Sequence, residues 1–409
     1  MKISSFSLTE KDSLLESRRV IRTSRTMTWP KRLGQFICCS ASRKAGFSSM
    51  LIETKTKSKP KSGNTLNWGQ QYKFCSKRSM FVSIQGSSHP ENLSVTGKSS
   101  TERSDEVFRF ICDHILKYGS LDKNPRPHWV EKDGTKTPAH TYSVNNVTIS
   151  YDILNGDLPL NTLRRTAWKN GEKEILWIYQ LASNDLVVFD DLIGKNTWDQ
   201  DHKIHNWWEP WALKDEDGNY ILNEQGHPHI GACYGGSVAE HALMTNLLCE
   251  MERNPDSRRH IISLWQDVDF TKPHGLKPCV HKTQCMVRHG DGIDYLDASV
   301  DIRSWDYITA GAINQSQYFD FVDRIARHNN LTLASLRFSI GNIQIYDRHV
   351  PIATELCKRE SIPMNPQLVY STNETDFFKI SAKDTKMEGY DGKSIDAKNP
   401  QIKNMPIAV

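Results

Sequence analysis

An alternating stretch at residues 295–302 predicts that this chain builds a β-sheet with one buried face. Every second residue from Leu296 to Ile302 is apolar, and the residues between them are polar or acidic. Because successive side chains of a strand point to opposite faces, this period predicts a strand with its apolar side on a core. Residues 283–287 precede it across the turn sequence HGDG, so the two stretches together predict a hairpin.

Helical and extended patterns alternate through the rest of the chain from about residue 101. Apolar residues recur at helical spacing in four stretches, and two more stretches are apolar, β-branched and extended. The predicted helices span residues 106–118, 169–181, 238–251 and 314–327, and the predicted strands span residues 142–153 and 339–346. A chain of 409 residues can bury a large core in one large domain or two.

Residues 1 to about 100 have a different composition. Ser, Thr, Lys and Arg dominate there, and Glu53 and Glu91 are the only acids between residues 20 and 100. Weak periodicity and the basic tract at residues 55–61 favour a disordered extension. The composition of residues 20–52 also suits an organelle transit peptide, and a weak nucleic-acid patch is a third reading. We therefore divide the chain into a basic extension at residues 1–100 and a folded domain at residues 101–409.

The composition argues against two classes of protein. No apolar run approaches the roughly 20 residues that a membrane span needs. The nine cysteines contain no CxxC spacing, and the fifteen histidines contain no helical HxxxH pair, which argues against a metal site. We therefore expect a metal-free protein of the cytoplasm, or of mitochondria or another organelle if the extension is a transit peptide.

The pair Pro278-Cys279 is the strongest candidate for chemistry. A cysteine directly after a proline lies in an extended turn, and Arg258, Arg259 and Arg303 flank it along the sequence. Nearby positive charge stabilises a thiolate nucleophile, and guanidinium groups bind phosphate through paired hydrogen bonds. The alternative is that Cys279 is a small buried hydrophobe, and the residues alone leave both readings open.

Two other features also allow two interpretations. Glu174 lies among apolar residues of a predicted helix, either at the wet edge of that helix or facing a cleft. The tryptophans of NWWEPW at residues 206–211 belong either to a core or to a stacking wall for a flat ring.

A series of motifs resembles the folate-dependent thymidylate synthases. The series consists of NPDSRRHIISLW at residues 254–265, Pro278-Cys279, RSWD at residues 303–306, Asn314, and GNIQIY at residues 341–346. Upstream, DGTKTPAHT at residues 133–141 is similar to the start of the bacterial branch of that family. KEILW at residues 173–177 and the final Ala408-Val409 also fit, so the resemblance covers residues from about 103 to 409.

The resemblance implies a fold and a reaction. The fold would be α+β, a twisted mixed sheet flanked by helices, with the sheets of two subunits packed back to back in a homodimer. The reaction would be reductive methylation of dUMP to dTMP, with 5,10-methylenetetrahydrofolate as one-carbon and hydride donor and dihydrofolate as the second product. No metal, membrane or nucleic acid would be required. One alternative is a deoxynucleotide hydroxymethyltransferase acting on dUMP or dCMP, and another is an inactive homologue that binds nucleic acid through its basic N-terminus.

The resemblance also implies roles for individual residues. Cys279 would add to C6 of uracil, Glu174 would be the acid/base carboxylate near O4, and Tyr234 would lie near the C5 proton transfer. The substrate contacts would be Arg126, Arg303, Ser304 and the partner subunit's Arg258 and Arg259 at the phosphate, Asn314 at the uracil edge, and Gln344 and Tyr346 at the sugar. The folate contacts would be Asp306 at the pterin, together with Trp208, Trp211 and Ala408, with Trp198 as the second choice among the tryptophans.

Overall fold

The computed structural model describes residues 79–290, 292–402 and 405–409, and a nine-stranded mixed sheet organises them. The strands of this sheet are β1 (Ser79–Gly86), β2 (Glu91–Thr96), β3 (Ser120–Leu121), β6 (Thr141–Asp152), β7 (Ile261–Ser263), β8 (Val280–His289), β9 (Asp294–Ile302), β10 (Trp305–Asp306) and β11 (Thr332–Tyr346). They run in the order β2-β1-β6-β11-β9-β8-β7, with β10 beside β11 and β3 beside β6. Two small hairpins complete the strands, β4 (His128–Val130) with β5 (Lys136–Pro138) and β12 (Gln367–Tyr370) with β13 (Thr385–Glu388).

The predicted hairpin is confirmed as the antiparallel pair β8 and β9. In β9 the apolar residues from Leu296 to Ile302 are buried, and the residues between them are half-buried, as the alternation predicts. The next strand in the sheet, β11, runs parallel to β9 and antiparallel to β6. This mixed pairing places the start of β8 beside the end of β9, where Cys279 and Arg303 lie.

Nine helices occur in the described residues and flank the sheet. They are α1 (Ser100–Tyr118), α2 (Trp168–Ile175), α3 (Leu186–Ile193), α4 (Trp198–Asp201), α5 (Gly235–Glu240), α6 (Leu243–Arg253), α7 (Ala312–His328), α8 (Val350–Lys358) and α9 (Gly392–Lys398). Apolar residues of α1, α2 and α7 pack with those of the sheet in one large core. The expected α+β class, a mixed sheet flanked by helices, is confirmed. None of these helices is long and apolar enough to cross a bilayer.

Three sequence-based expectations about elements need correction. The single helix expected at residues 238–251 is two helices, because Ala242 adopts a left-handed conformation (φ 50°) between α5 and α6. The helix expected at residues 169–181 changes after Ile175 into one turn of π-helix at Leu176–Gln180. The domain start expected near residue 101 is too late, because β1 and β2 already belong to the sheet. In β1 every second residue, Met80, Val82 and Ile84, is apolar and buried, so the sequence contained this strand pattern and it was missed. The expectations for residues 1–78 lie outside the described residues.

Candidate active site

Cys279 lies just before β8, where the first residues of that strand bulge. The pairing of β8 with β9 shifts between Val280 and Lys282, so an extra residue is inserted directly after the cysteine. The thiol is half-buried, and its sulfur lies 3.8 Å from Nη2 of Arg303. Because Cys279 precedes a strand and follows a proline, its side chain projects from a turn that the sheet anchors.

Burial and nearby charges shift the pKa of the Cys279 thiol in opposite directions. Burial raises the pKa of the Cys279 thiol, the charge of Arg303 lowers that pKa, and Arg126 lowers it further. The negative charge of Asp306 raises it. Burial outweighs the two guanidinium groups, so the pKa of the Cys279 thiol lies above its usual value in this structure, and Arg303 and Arg126 lessen that rise.

Arg303 follows β9 and holds the cysteine turn in place. Its Nε donates to the carbonyl of Pro278 at 2.8 Å, and its Nη2 donates to the carbonyl of Lys277 at 2.7 Å. Its backbone N–H donates to the carbonyl of Cys279 at 2.9 Å. One guanidinium thus fixes the turn and faces the sulfur, and it has further donors for an anion.

Tyr234 supports Cys279 from the opposite side. Its hydroxyl accepts a hydrogen bond of 3.1 Å from the backbone N–H of Cys279, and its ring packs edge-on against Trp208 with centroids 4.8 Å apart. Tyr234 has a φ of 47°, which is strained for a residue with a side chain. The following Gly235 is required, because a Cβ there would lie 1.8 Å from the carbonyl oxygen of Ser183. Close packing of this turn therefore fixes the tyrosine.

Glu174 lies in the last turn of α2 and is buried, with 7% of its surface exposed. Its carboxylate accepts hydrogen bonds from the indole N–H groups of Trp207 at 2.8 Å and Trp208 at 3.1 Å. Burial raises the pKa of Glu174 to about 7, although these bonds and Gln317 act to lower it. The carboxyl can therefore take up and release a proton near neutral pH, which suits a general acid or base.

Asn314 lies in the first turn of α7, and its side-chain amide is held at both ends. Its Oδ1 accepts from the indole N–H of Trp305 at 3.1 Å, and its Nδ2 donates to Oε1 of Gln317 at 2.6 Å. Gln317 in turn lies beside the Glu174 carboxyl. Asn314 and Glu174 therefore belong to one connected polar set between α2 and α7.

Ser304 lies directly before β10, and Gln344 and Tyr346 lie on the neighbouring β11. The hydroxyl of Ser304 donates to Oε1 of Gln344 at 3.4 Å. Gln344 and Tyr346 are two residues apart on β11, so their side chains share a face of the sheet. The ring of Tyr346 packs edge-on against Trp129, and Ala408 packs on the same small cluster.

Asp306 joins this region to the end of the chain. Its carboxylate accepts from the backbone N–H of Thr309 at 3.1 Å and lies 3.8 Å from Nδ1 of the buried His349. Nε2 of His349 is within hydrogen-bond distance, 2.8 Å, of the Pro406 carbonyl. The last residue is also tied down, because Val409 exchanges two backbone hydrogen bonds with His128.

A groove of about 600 Å³ adjoins Glu174 through Trp207. Its lining includes Asn206, Trp207, Pro210, Tyr220 and Ile407, and so combines aromatic faces with polar groups. Such a groove suits a flat ring system that carries polar substituents.

The predicted phosphate-binding arginines are divided between two places. Arg303 lies at Cys279, and the charge of the exposed Arg126 reaches the thiol. Arg258 and Arg259 are exposed, and the carbonyl of Arg258 accepts a hydrogen bond from Gln284, five residues along β8 from the cysteine. At 3.3 Å per residue the five residues from Cys279 to Gln284 span roughly 17 Å. In the described part of the chain neither guanidinium has an acidic partner, so the pair is free to bind an anion.

Sequence reasoning missed three residues of the site. Trp207, Gln317 and Trp305 all hydrogen-bond to predicted site residues. NWWEPW and RSWD contained the two tryptophans, and Gln317 lies one helical turn after Asn314, which is a signal that could have been used. The second-choice Trp198 packs against His202 and Tyr220 and makes no hydrogen bond to Glu174. Among the described residues, no cluster of three or more His, Cys, Asp or Glu side chains could hold a metal.

Comparisons with known proteins show which family this chain belongs to. A sequence model of the thymidylate synthase family matches residues 106–402. The thymidylate synthase of Streptococcus pneumoniae is 36% identical over 290 residues, which cover 71% of this chain and 95% of that relative. The enzyme of Streptococcus sanguinis is 34% identical over 288 residues, or 70% of this chain and 94% of that relative. The solved structure of the thermostable thymidylate synthase A from Bacillus subtilis has a TM-score of 0.60 and 29% identity, and the alignment covers 75% of this chain and 99% of that structure. This chain belongs to the thymidylate synthase family.

Proposed function

We propose that this protein carries out the reductive methylation of dUMP to dTMP with Cys279 as the nucleophile. Family membership gives the enzyme class, a methyltransferase of the thymidylate synthase type. The contact between the Cys279 sulfur and Arg303 carries the assignment of the nucleophile, because the same guanidinium favours the thiolate and has donors left for a phosphate. The relatives reported above are thymidylate synthases, so the hydroxymethyltransferase alternative is not favoured.

The low reactivity of C5 of uracil explains why the reaction needs a nucleophile. C5 of uracil is not nucleophilic until a group adds to C6, and we assign this addition to the Cys279 sulfur. The electrons that leave the C5–C6 bond on addition reside at C5 and O4, so C5 can form a bond to an electrophilic carbon. 5,10-Methylenetetrahydrofolate supplies this carbon and the hydride that completes the methyl group. The C5 proton would then leave, and we assign Tyr234 to this step because its hydroxyl accepts a hydrogen bond from the backbone N–H of Cys279. Elimination would break the bond between the one-carbon unit and the folate nitrogen, the folate would return a hydride to that carbon, and the sulfur would leave C6 as the C5–C6 double bond forms again.

Glu174 and Asn314 are the groups that we assign to the pyrimidine edge. With a pKa of about 7, the Glu174 carboxyl can hold a proton near O4 and release it as charge develops there. The Asn314 amide offers a donor to O4 and an acceptor to N3–H, a pattern that matches uracil. Gln344 and Tyr346 are assigned to the sugar hydroxyl, since both lie on the face of β11 beside Ser304.

The groove at Trp207 is the proposed folate site. Trp207 lines the groove and would contact the flat pterin. Trp208 packs against Trp211 outside the lining of the groove, and we assign these two tryptophans and Asp306 to the folate from the family resemblance. Ala408 and the C-terminal residues would cover the site, because their backbone already pairs with His128.

The exposed arginine pair supports a proposal about assembly. We infer that Arg258 and Arg259 bind the phosphate in the site of a second copy, since they lie far from Cys279 of their own chain. Such sharing requires a homodimer with two-fold symmetry. Nine cysteines without a CxxC spacing favour a reducing compartment, so we place the reaction in the cytoplasm, or in an organelle if the first residues act as a transit peptide.

The direct test uses the full chain, dUMP and 5,10-methylenetetrahydrofolate. We expect dihydrofolate to form together with a nucleotide whose mass identifies it as dTMP. A nucleotide carrying a hydroxymethyl group, or no product from a folded dimer, would contradict the proposal.

A further inference from the structure

Trp305, Asn314 and Gln317 form a continuous series of hydrogen bonds that leads towards Glu174. The indole N–H of Trp305 donates to Oδ1 of Asn314 at 3.1 Å, and Nδ2 of Asn314 donates to Oε1 of Gln317 at 2.6 Å. The remaining end of Gln317 lies beside the Glu174 carboxyl and favours its charged form. Two of these residues, Trp305 and Gln317, have no role in the family assignment given above.

Trp305 and Glu174, at the two ends of this series of hydrogen bonds, fix which atom donates and which accepts in each bond. An indole N–H can only donate, so the atom of Asn314 that faces Trp305 must be the oxygen. An ionised carboxylate can only accept, so the end of Gln317 that faces Glu174 must be the amide nitrogen. Each amide between them is then held in one of its two orientations. Rotating either amide by a half turn would place donor against donor or acceptor against acceptor.

The fixed orientation of the Asn314 amide matters because uracil and cytosine present different patterns of hydrogen-bond donors and acceptors. Uracil presents an acceptor at O4 and a donor at N3, whereas cytosine presents a donor at the 4-amino group and an acceptor at N3. An asparagine that could rotate freely would match either ring. An asparagine with its oxygen held by Trp305 matches uracil alone.

The indole itself has little freedom to move. Trp305 is 1% exposed and lies in β10, which pairs in parallel with β11 at Ile343. Its ring stacks on Phe338 with centroids 6.0 Å apart and packs edge-on against Tyr307 at 5.5 Å. Gln317 is 2% exposed and is also closely packed, since a Cβ at Gly171 would lie 2.8 Å from its Cγ.

We propose that Trp305 and Gln317 are positioning residues that determine the preference for uracil over cytosine by locking the orientation of the Asn314 amide. The inference rests on the proposed function, in which Asn314 contacts the pyrimidine edge. It goes further by assigning specificity to two residues that touch no substrate. If the Asn314 amide turned to the orientation that fits cytosine, it would lose its hydrogen bond with Trp305 and its hydrogen bond with Gln317.

The test compares kcat/KM for dCMP and dUMP, measured as tritium release from the C5-labelled nucleotides in the presence of 5,10-methylenetetrahydrofolate. Trp305→Phe keeps an aromatic ring and removes only the indole donor, and Gln317→Met keeps the volume and removes the amide. A buried hydrogen bond contributes about 0.5–1.5 kcal/mol, so each variant should raise the dCMP:dUMP ratio by roughly three- to tenfold. The assay is run at pH 8, where a Glu174 carboxyl with a pKa of about 7 is mostly ionised.

Trp177→Phe is the matched control. Trp177 is fully buried, and its indole N–H donates at 2.9 Å to the carbonyl of Asp185, away from Asn314. Loss of packing should lower turnover of both nucleotides together and leave their ratio unchanged. The ratio therefore separates an effect on orientation from a general loss of structure.

Each outcome bears on a different claim. A higher dCMP:dUMP ratio in Trp305→Phe and in Gln317→Met, with an unchanged ratio in Trp177→Phe, supports the proposal that Trp305 and Gln317 lock the Asn314 amide. If the ratio stays at the wild-type value in both site variants while the wild-type enzyme turns over dUMP, the lock is wrong and the proposed function stands. If the wild-type enzyme releases no tritium from dUMP, the proposed function fails and the lock fails with it. Should Trp305→Phe not fold, Gln317→Met decides between the first two outcomes.

Discussion

The pyrimidine side and the phosphate side of this site are built in different ways. On the pyrimidine side, Glu174 and Asn314 are connected through Gln317 and held by buried indoles of the same chain. On the phosphate side, Arg258 and Arg259 are exposed, and the Arg258 carbonyl meets Gln284, which lies roughly 17 Å along β8 from Cys279. The proposed pyrimidine side is formed within a single chain, and the proposed phosphate side is exposed, as expected if a second copy completes it.

The difference reflects what each side must bind. A pyrimidine edge is read by the direction of a few hydrogen bonds, and such bonds need rigid, desolvated partners. A phosphate is a diffuse double charge, and flexible guanidinium groups can bind it from either chain. Arg303 connects the two sides, because it braces the cysteine turn and still has donors for an anion.

The largest expected effect follows from replacing the nucleophile itself. Cys279→Ser should lower turnover of dUMP by roughly 10⁴-fold or more, because an alcohol is far less ionised than a thiol and covalent catalysis is lost. Binding of dUMP should remain, since the phosphate and pyrimidine contacts are intact. Cys249→Ser is the control, because Cys249 is exposed on α6 outside the site. Near-parental tritium release from C5-labelled dUMP by the serine variant would remove Cys279 from the mechanism.

The next effect tests the pyrimidine side through Glu174. Glu174→Gln should lower kcat by roughly 10²- to 10⁴-fold, as expected for loss of a general acid or base. The wild-type pH–rate profile should bend near pH 7, where the Glu174 carboxyl titrates, and the variant should lose this bend.

Glu174→Gln should also change the free energy of unfolding, by an amount that depends on pH. The pKa of Glu174 is about 7 in the folded protein and near 4.5 in the unfolded chain, so folding is favoured when the carboxyl is protonated. Stability should therefore be highest at low pH and fall as the pH rises from about 4.5 to 7. At 1.36 kcal/mol per pKa unit, Glu174→Gln should stabilise the fold at pH 8 by up to about 3 kcal/mol and have little effect near pH 4.5. Urea unfolding at both pH values checks this, and a variant less stable than wild type at pH 8 would contradict the buried, ionised carboxylate.

The smallest effect tests the phosphate side. Arg258→Ala should weaken nucleotide binding by about 1.5–3 kcal/mol, the range for hydrogen bonds to charged groups. If the arginine serves a second copy, mixing Arg258→Ala chains with Cys279→Ala chains should restore part of the activity, because one site of the mixed dimer carries neither lesion. Arg253→Ala, at the exposed end of α6, controls for loss of charge on the same segment. No rescue after verified subunit exchange would show that each chain binds phosphate with its own arginines.

The sequence located the parts of the site that recur as motifs. Pro278-Cys279, Arg303, Asn314 and Glu174 were all predicted, and the structure brings them into one region. Whether Glu174 lay at a wet edge or faced a cleft could not be read from periodicity, because this depends on what packs over α2. The answer came from the indoles of Trp207 and Trp208, which belong to a loop without a regular period.

The fold was predictable to a similar degree. Alternation in β9 and helical spacing in α1 and α7 gave these elements correctly, because their buried faces follow one period over many residues. The break between α5 and α6 was missed, because the left-handed turn falls on Ala242, a residue that gives no turn signal. Trp305 and Gln317 were missed for another reason: their role depends on hydrogen bonds between elements, which local patterns do not contain.

The most direct test of the account is a covalent trap at Cys279. 5-Fluoro-dUMP carries fluorine where dUMP has the C5 proton, so the reaction should stop after the sulfur has bonded to C6 and C5 has bonded to the one-carbon unit. After incubation with 5,10-methylenetetrahydrofolate, we expect mass spectrometry of the digested protein to find the nucleotide and folate on the peptide that contains Cys279. An adduct on another residue, or no adduct in a preparation that converts dUMP to dTMP, would contradict the assignment of Cys279 as the nucleophile.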